Sequence, residues 1–302
     1  MYESFYGLRE RPFAMLPDPH FLYWGHGHTM AFSTLEYGML NAASFTVITG
    51  EIGSGKTTLI RHLLSMFNDH VTVGLISNVM TGQGTLLEWI LHALNQPFDR
   101  PQHVALFGQF QDFLIAEYAR GRHTIIIIDE AQNLDMATLE EFRMLSNINA
   151  DGVQLLQVIL VGQPELRTML QRPELAQFAQ RVSADYHLGP LNVEESIHYI
   201  YTRIARAGGA HGLFSRHAAE TLAIASKGIP RVLNGLCDAA LVYGFSRRAR
   251  KITSSIADEV IRDRGKFYEL QLHLLKPNGK TAKKVVPPEP NSPSLKERSN
   301  VR

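Results

Sequence analysis

The chain has 302 residues, of which 45% are hydrophobic, and a formal net charge of +1. This length and composition are typical of a soluble globular protein with one large or two modest domains, and no apolar run reaches the roughly 18 residues of a membrane-spanning helix. Cys237 is the single cysteine, which excludes an internal disulfide, and the charged N-terminus does not resemble a signal peptide. These features predict a cytoplasmic protein.

Charge is unevenly distributed along the chain. Residues 276–302 carry five Lys and two Arg against two Glu, together with five prolines. Because such a composition cannot bury a core, we expect a disordered basic tail. The remainder is mildly acidic, unlike the strongly basic face that a dedicated duplex-DNA binder usually shows.

The first 190 residues combine strand and helix patterns. Residues 1–43 contain turn signals and many aromatic residues, which predicts an irregular N-terminal flank that ends in a helix over His28–Leu40. Five apolar runs then predict strands at Phe45–Thr49, Val71–Ser77, Thr124–Ile128, Leu155–Val161 and Ser183–Leu188. Helical stripes at 86–94 and 106–114 separate them, so we predict an α/β domain over residues 44–190, with a parallel sheet flanked by helices.

After Pro190 the pattern becomes entirely helical. Asn192 and Glu195 have the spacing of a capping box at a helix start. Further helices are predicted to reach about Gly208 and to cover Ser215–Lys227, Pro230–Arg247 and Ser255–Leu275. Residues 191–275 are therefore predicted to form a small α-helical domain that follows the α/β domain.

One loop matches the P-loop (Walker A) pattern in full, and it lies between a predicted strand and a predicted helix. Its residues are Gly50, Glu51, Ile52, Gly53, Ser54, Gly55, Lys56 and Thr57, followed by Thr58. Glycines let backbone N–H groups converge on phosphate oxygens, and the helix start adds its positive dipole end. We expect Lys56 to reach the β- and γ-phosphates of ATP and Thr57 to place its hydroxyl on Mg²⁺.

Two acids follow the apolar strand at 125–128, as in a Walker B motif. Asp129 would hold the Mg²⁺ shell, and Glu130 would orient and deprotonate the attacking water. The alternative is that both are solvated turn residues. Glu130 is the reason to predict hydrolysis rather than nucleotide binding alone, although a nucleotide-binding scaffold with negligible turnover remains open.

The motifs together resemble one family. The P-loop, the Walker B segment and three further segments follow one another as in the ExeA/GspA-like secretion ATPases of the AAA+ class: 160–166, 187–191 and 228–238. Residues 141–147 look most like the branch linked to exosortase (XrtA/PEP-CTERM) and exopolysaccharide loci. The resemblance covers about residues 1–265 and implies an AAA+ ATPase core with a C-terminal helical lid. Longer family members continue into a membrane segment and a peptidoglycan-binding part that this sequence does not show, so peptidoglycan binding is in doubt.

The resemblance also implies roles for three polar residues. Gln163 matches the sensor beside Walker B, Arg181 matches an arginine finger that reaches a neighbouring subunit's nucleotide, and Arg231 matches the second sensor of the lid. Each has a simpler interpretation. Gln163 could cap the helix that Pro164 opens, Arg181 could be a surface residue that closes a helix, and Arg231 could form an ion pair at a helix start.

Two functions compete at this stage. The first is an oligomeric motor or switch that serves general secretion or exopolysaccharide export, located in the cytoplasm or peripherally at the inner membrane face. The second is a DNA-dependent regulator of the transposition-ATPase type, because residues 129–132 resemble those proteins as well. The export function is favoured, with a homo-oligomer implied by the arginine finger.

Several other features have open interpretations. His26 and His28 lack a third ligand nearby, so we interpret them as polar loop residues rather than a metal site. The basic run 247–251 fits a solvated helix end, or a contact with nucleic acid, an acidic partner or an anionic membrane. Residues 21–24 are aromatic-rich and are either packing residues or neighbours of the adenine base.

Overall fold

The computed structural model describes residues 1–77, 84–97, 103–150 and 152–274, with side chains up to residue 264. The predicted tail at 276–302 lies outside the described residues.

The strands are β1 Phe45–Gly50, β2 Val71–Ser77, β3 His123–Asp129, β4 Asn149–Ala150, β5 Val153–Gln154, β6 Leu156–Gly162 and β7 Val182–Leu188. The helices are α1 Glu3–Tyr6, α2 His26–Leu40, α3 Lys56–Met66, α4 Leu86–Ala93, α5 His103–Ala119, α6 Met136–Leu145, α7 Pro164–Leu170, α8 Ala176–Ala179, α9 Val193–Arg206, α10 Arg216–Ala225, α11 Pro230–Ser246 and α12 Ser254–Leu274.

Five parallel strands form the main sheet, in the order β2-β3-β6-β1-β7. Strand β1, which leads into the P-loop, lies between β6 and β7, and β6 separates it from β3. The register pairs Thr49 with Gly162 and Ile128 with Leu160, so the carboxyl ends of these three strands meet at one edge. That edge carries the P-loop, the two Walker B acids and Gln163. The predicted parallel sheet with flanking helices is confirmed.

Helices cover both faces of the sheet. Ile126 and Ile128 pack in the core that includes α4, α5 and α6, whereas Ile125 and Ile127 pack in the core that includes α2 and α3. Alternate residues of a strand point to opposite faces, which explains why β3 has to be apolar at successive positions. The continuous apolar run is therefore a direct consequence of double coverage.

The segment before α2 belongs to a different core from α2 itself. Tyr2, Tyr6, Leu8, Phe13 and Phe21 are buried together with the apolar side chains of α9 to α12. Helix α2 instead packs against β1 and β7. The predicted flank is thus divided, with its first part joined to the C-terminal helices and its last part joined to the sheet.

Two local predictions change in the structure. Helix α2 begins at His26 rather than His28, so the loop interpretation of these two histidines is wrong. In the basic run, Arg247 forms an ion pair with Glu259, and Arg250 donates to the Phe5 carbonyl at 2.6 Å with its guanidinium 4.2 Å from the Phe5 ring centroid. These two arginines therefore hold α12 and the N-terminus to the end of α11.

In the part of the chain that the structure describes, none of the helices combines the length and the apolar character needed to cross a lipid bilayer.

Candidate functional site

The P-loop has the backbone geometry that its glycines predict. Gly53 and Gly55 have φ values of 82° and 105°, in the left-handed region that glycine adopts without steric cost. Neither position has room for a side chain. A Cβ on Gly53 would lie 2.6 Å from Cβ of Arg231, and a Cβ on Gly55 would lie 2.8 Å from Nε2 of His28. The loop thus fits closely between a helix of the C-terminal domain and α2.

Lys56 is the first residue of α3 and is buried. Its Nζ donates to the carbonyls of Gly50 at 2.7 Å and Glu51 at 3.0 Å. Burial lowers the pKa of Lys56, and the nearby Glu130 and Asp129 carboxylates oppose that shift. Both direct hydrogen-bond partners of this buried cation are neutral carbonyls, so an anionic phosphate beside Lys56 would add a charge-assisted partner.

Thr57 and Asp129 bring two oxygen ligands together. Thr57 donates its hydroxyl to Oδ2 of Asp129 at 3.0 Å, and Oδ1 of Asp129 accepts the backbone N–H of Glu130 at 3.0 Å. Burial raises the pKa of Asp129 above its ordinary value, and these hydrogen bonds act in the opposite direction. A hydroxyl and a carboxylate are ligands that Mg²⁺ prefers, so these residues fit the predicted metal. Bound there with ATP, Mg²⁺ would neutralise charge on the phosphates.

Glu130 is held by two side-chain amides. Its backbone is left-handed, with φ 57° and ψ 38°, which is uncommon for a residue other than glycine and recurs at functional sites. Oε2 of Glu130 accepts from Nε2 of Gln132 at 2.6 Å and from Nε2 of Gln163 at 3.0 Å. Gln163 occupies the N-cap position of α7, but its side chain makes no capping hydrogen bond. Gln163 is therefore the N-cap residue of α7, as one interpretation predicted, while its side chain contacts Glu130 rather than the helix start.

A cavity of about 350 Å³ opens above the P-loop. It is lined by P-loop residues and Glu130, by the N-terminal segment, and by residues of α9 and α11. The lining residues outside the P-loop and Glu130 include Ala14–Asp18, Phe21, Leu22, Tyr23, Tyr199, Arg203, Pro230, Arg231 and Asn234. Three of the four predicted base neighbours therefore line the cavity. Trp24 packs with its ring centroid 5.2 Å from that of Phe32 and 5.1 Å from that of His62.

Arg231 connects the helical domain to the P-loop. Its backbone N–H donates to the Gly53 carbonyl at 3.2 Å, and the residue lines the cavity. Within the described part of the chain, no carboxylate lies within ion-pair distance of its guanidinium. Among the described residues, the ion-pair interpretation of Arg231 is therefore wrong. Its guanidinium remains available to a ligand in the cavity.

Arg181 lies apart from the cavity described above. Its guanidinium donates to Oγ of Ser146 at 2.7 Å and to Oδ1 of Asn147 at 2.5 Å, just after α6 ends. A longer contact of 3.4 Å reaches the Arg143 carbonyl. Carbonyls at a helix C-terminus favour a cation, which explains why the side chain is held there. Arg181 is half-buried and is not among the residues that line the cavity.

His28 supports the P-loop from below, a role that sequence reasoning missed. The residue is 5% exposed, and its Nε2 lies 3.0 Å from the Ser54 carbonyl. Because a carbonyl can only accept, Nε2 carries the hydrogen. Nδ1 is buried and has no hydrogen-bond partner among the residues that the structure describes, and burial lowers the pKa of His28. The neutral imidazole is therefore the form that fits beneath the loop.

One face of α9 holds the N-terminal wall of the cavity, which consists of residues 14–18 and 21–23. Arg203 is 6% exposed, and its Nε donates to the Pro12 carbonyl while Nη1 donates to the Tyr199 hydroxyl at 2.6 Å. The guanidinium lies 4.7 Å from the ring centroid of Phe21. One turn further along, Arg206 donates to the Leu22 carbonyl at 2.7 Å. These contacts attach the N-terminal part of the wall to the helical domain.

Comparisons with known proteins place this geometry in context. A family model described as an AAA domain matches residues 40–170. The chain is 40% identical over 272 residues to general secretion pathway protein A of Aeromonas hydrophila, a match that covers 88% of this chain and 50% of that protein. The chain thus spans about half the length of that relative. Both findings support a relationship to the ExeA/GspA-like proteins.

Solved structures of low sequence identity share the fold. The ORC2 protein of Aeropyrum pernix has a TM-score of 0.57 at 17% identity, with 79% of this chain and 67% of that chain covered. CDC6P from Pyrobaculum aerophilum has a TM-score of 0.60 at 17% identity, with 78% and 68% covered. The Walker-type ATPase paby2304 of Pyrococcus abyssi has a TM-score of 0.58 at 14% identity, with 87% and 79% covered. These likenesses show an AAA P-loop ATPase fold.

Proposed function

Since the chain has the AAA P-loop ATPase fold and is similar to a general secretion pathway protein, we propose that it binds and hydrolyses Mg-ATP. One observation carries the proposal. The P-loop with Lys56, the adjacent oxygens of Thr57 and Asp129, and the carboxylate of Glu130 meet at one edge of the sheet, beside a single cavity. A site for nucleotide binding alone would not need the acid at position 130.

Each residue of this set has a distinct chemical task. The P-loop N–H groups and Lys56 bind the triphosphate, and Thr57 with Asp129 would hold Mg²⁺. Glu130 orients the attacking water and accepts its proton. Gln163 lies 3.0 Å from Glu130 and can position that water or the γ-phosphate, while Arg231 couples the nucleotide to the helical lid.

We further propose an oligomer in which Arg181 completes the site of a neighbouring subunit. Its position away from the cavity of its own chain, half-buried beside the end of α6, supports a role in trans. The assembly would act as a motor or switch in general secretion or exopolysaccharide export, in the cytoplasm or at the inner membrane face. Similarity to general secretion pathway protein A supports secretion, and the exopolysaccharide branch rests on the resemblance at residues 141–147.

Phosphate release and ATP binding test the enzyme proposal directly. Wild type should bind Mg-ATP in calorimetry and release phosphate. Glu130→Gln should bind Mg-ATP with similar affinity but lose turnover by about 10²-fold or more, and Lys56→Ala should lose binding. Equal phosphate release by wild type and Glu130→Gln would reject hydrolysis at this site, and unchanged binding by Lys56→Ala would reject the site itself.

The DNA-dependent alternative is tested by the same assay with duplex DNA added. A salt-sensitive stimulation of ATPase activity would favour that function, since phosphate contacts release counterions. The structure provides little support for it, because Arg247 and Arg250 of the basic run already contact Glu259 and Phe5. An ATPase rate that duplex DNA leaves unchanged would favour the export function.

A further inference from the structure

We propose that Gln132 is a positioning residue for hydrolysis, which holds the Glu130 carboxylate through its side-chain amide. The inference deepens the proposed ATPase function and rests on it. Gln132 lies in the short 3₁₀ turn Ala131–Asn133 that follows Glu130 directly. It is not among the described residues that line the cavity, so an effect on catalysis would pass through its neighbours.

The orientation of the Gln132 amide follows from its two partners. Its Oε1 lies 3.0 Å from the backbone nitrogen of Gln163, an N–H that can only donate. The oxygen therefore faces Gln163, and the Nε2 group faces Oε2 of Glu130 at 2.6 Å. Gly162 leaves room for this arrangement, since a Cβ there would lie 3.1 Å from Oε1 of Gln132. The amide is thus fixed at both ends.

The Gln132 amide contacts only one of the two carboxylate oxygens of Glu130. Gln132 and Gln163 donate to the same carboxylate oxygen, and Gln132 is itself held by the Gln163 backbone rather than by its side chain. If the Gln163 side chain turns towards a nucleotide, Gln132 still holds the carboxylate in place. The other oxygen, Oε1, accepts from neither amide and remains available to a water. Gln132 therefore keeps one Glu130 oxygen fixed while the other reacts.

The expected effect is on turnover and not on nucleotide affinity. Gln132→Met removes the hydrogen bonds at nearly constant volume, and Gln132→Glu replaces the donor with an acceptor of the same shape. Because a hydrogen bond to a charged group is lost, both should lower kcat by roughly 10- to 100-fold, with Gln132→Glu at least as severe. For Gln132→Met, the dissociation constant for Mg-ATP and the Tm should stay close to those of wild type.

A double-mutant comparison separates positioning from a merely structural role. In single-turnover assays, Glu130→Gln and Glu130→Gln/Gln132→Met should have the same residual rate, since the amide acts only through Glu130. Gln171→Met, at the exposed C-terminal end of α7, is the matched control and should behave like wild type.

The outcomes distinguish the inference from the function on which it rests. Wild-type kcat in Gln132→Met would overturn the inference while leaving hydrolysis intact. A parallel loss of ATP affinity, Tm and kcat that adds to the Glu130→Gln effect would also overturn it, because that result indicates a structural role. Absence of turnover in wild type itself would reject the proposed function and the inference together.

Discussion

Glu195, near the start of α9, accepts a hydrogen bond at 3.0 Å from the backbone N–H of His26, the first residue of α2. The same carboxylate accepts the N–H of Asn192 at 3.0 Å and so completes a capping box for its own helix. Helix α2 has no side-chain cap from its N-cap residue, Gly25. One side chain of α9 therefore caps two helices and joins the C-terminal helices to α2, which packs on the sheet.

Glu195→Ala should lower the free energy of unfolding by about 1–2 kcal/mol, because two helix starts lose their acceptor. Urea unfolding followed by circular dichroism measures this change. Glu194→Ala is the control, since Glu194 is exposed and forms an ion pair with the equally exposed Arg216. A destabilisation no larger than that of the control would contradict the double-capping role.

Arg203→Met should loosen the N-terminal wall of the cavity. The variant loses the hydrogen bond to the Pro12 carbonyl and the contact with the Phe21 ring, so amide exchange in residues 12–24 should accelerate. Affinity for Mg-ATP should fall by about tenfold, because the wall has to be ordered again on binding. Hydrogen–deuterium exchange and calorimetry provide the two measurements, with the exposed Arg216→Met as control. Unchanged exchange and affinity would show that α9 does not hold the wall.

Stability should depend on pH through His28. Burial lowers its pKa in the folded state below the ordinary value of 6.5, so below about pH 6.5 the unfolded chain binds a proton that the folded chain does not. The contribution of His28 to the free energy of unfolding should therefore be fully present above about pH 7. It should decline as the pH falls from there towards the folded-state pKa.

Urea unfolding of wild type and His28→Gln at several pH values between about 5 and 7.5 tests this dependence. The stability of the variant should decline less over this range. His217→Gln, at an exposed position that is 87% accessible at the side chain, should follow the wild-type curve. Parallel curves for wild type and His28→Gln would exclude His28 as the cause.

Arg181→Ala should retain Mg-ATP binding but lose ATPase activity by about 10³-fold, if its guanidinium acts on a neighbour's nucleotide. Mixing this variant with Glu130→Gln subunits should restore part of the activity, since each supplies what the other lacks. Arg167→Ala, an exposed residue of α7, is the control. Full activity of Arg181→Ala at every protein concentration, or no gain on mixing, would reject the shared site.

The sheet and the P-loop could be predicted because their signals lie along the chain. For the five strands of the main sheet, predicted and observed bounds differ by at most one residue at each end, whereas the short strands β4 and β5 were not predicted. The Asn192–Glu195 capping box forms as predicted. Apolar runs, glycine spacing and helix caps are local properties. Each is set by backbone sterics or by hydrogen bonds between residues a few positions apart, so the sequence alone shows them.

The Gln132–Glu130–Gln163 contacts could not be predicted in this way. Gln163 lies 31 positions after Gln132 and reaches it because β3 and β6 are adjacent in the sheet. The positions of His28 beneath the P-loop and of Arg203 against Pro12 likewise join segments that are distant in sequence. In the sequence, these side chains look like any solvated polar residues. Only the distances to their hydrogen-bond partners in the structure show that they hold the site.

The sequence by itself thus predicted the class of chemistry, through the P-loop, Asp129 and Glu130. Tertiary structure decided how that chemistry is held: which amides contact Glu130, which helix supports the loop, and that the N-terminal segment packs with the helical domain. The physical reason is one of range. Local backbone preferences act over a few residues, whereas hydrogen bonds between elements exist only once packing has set the distance between them.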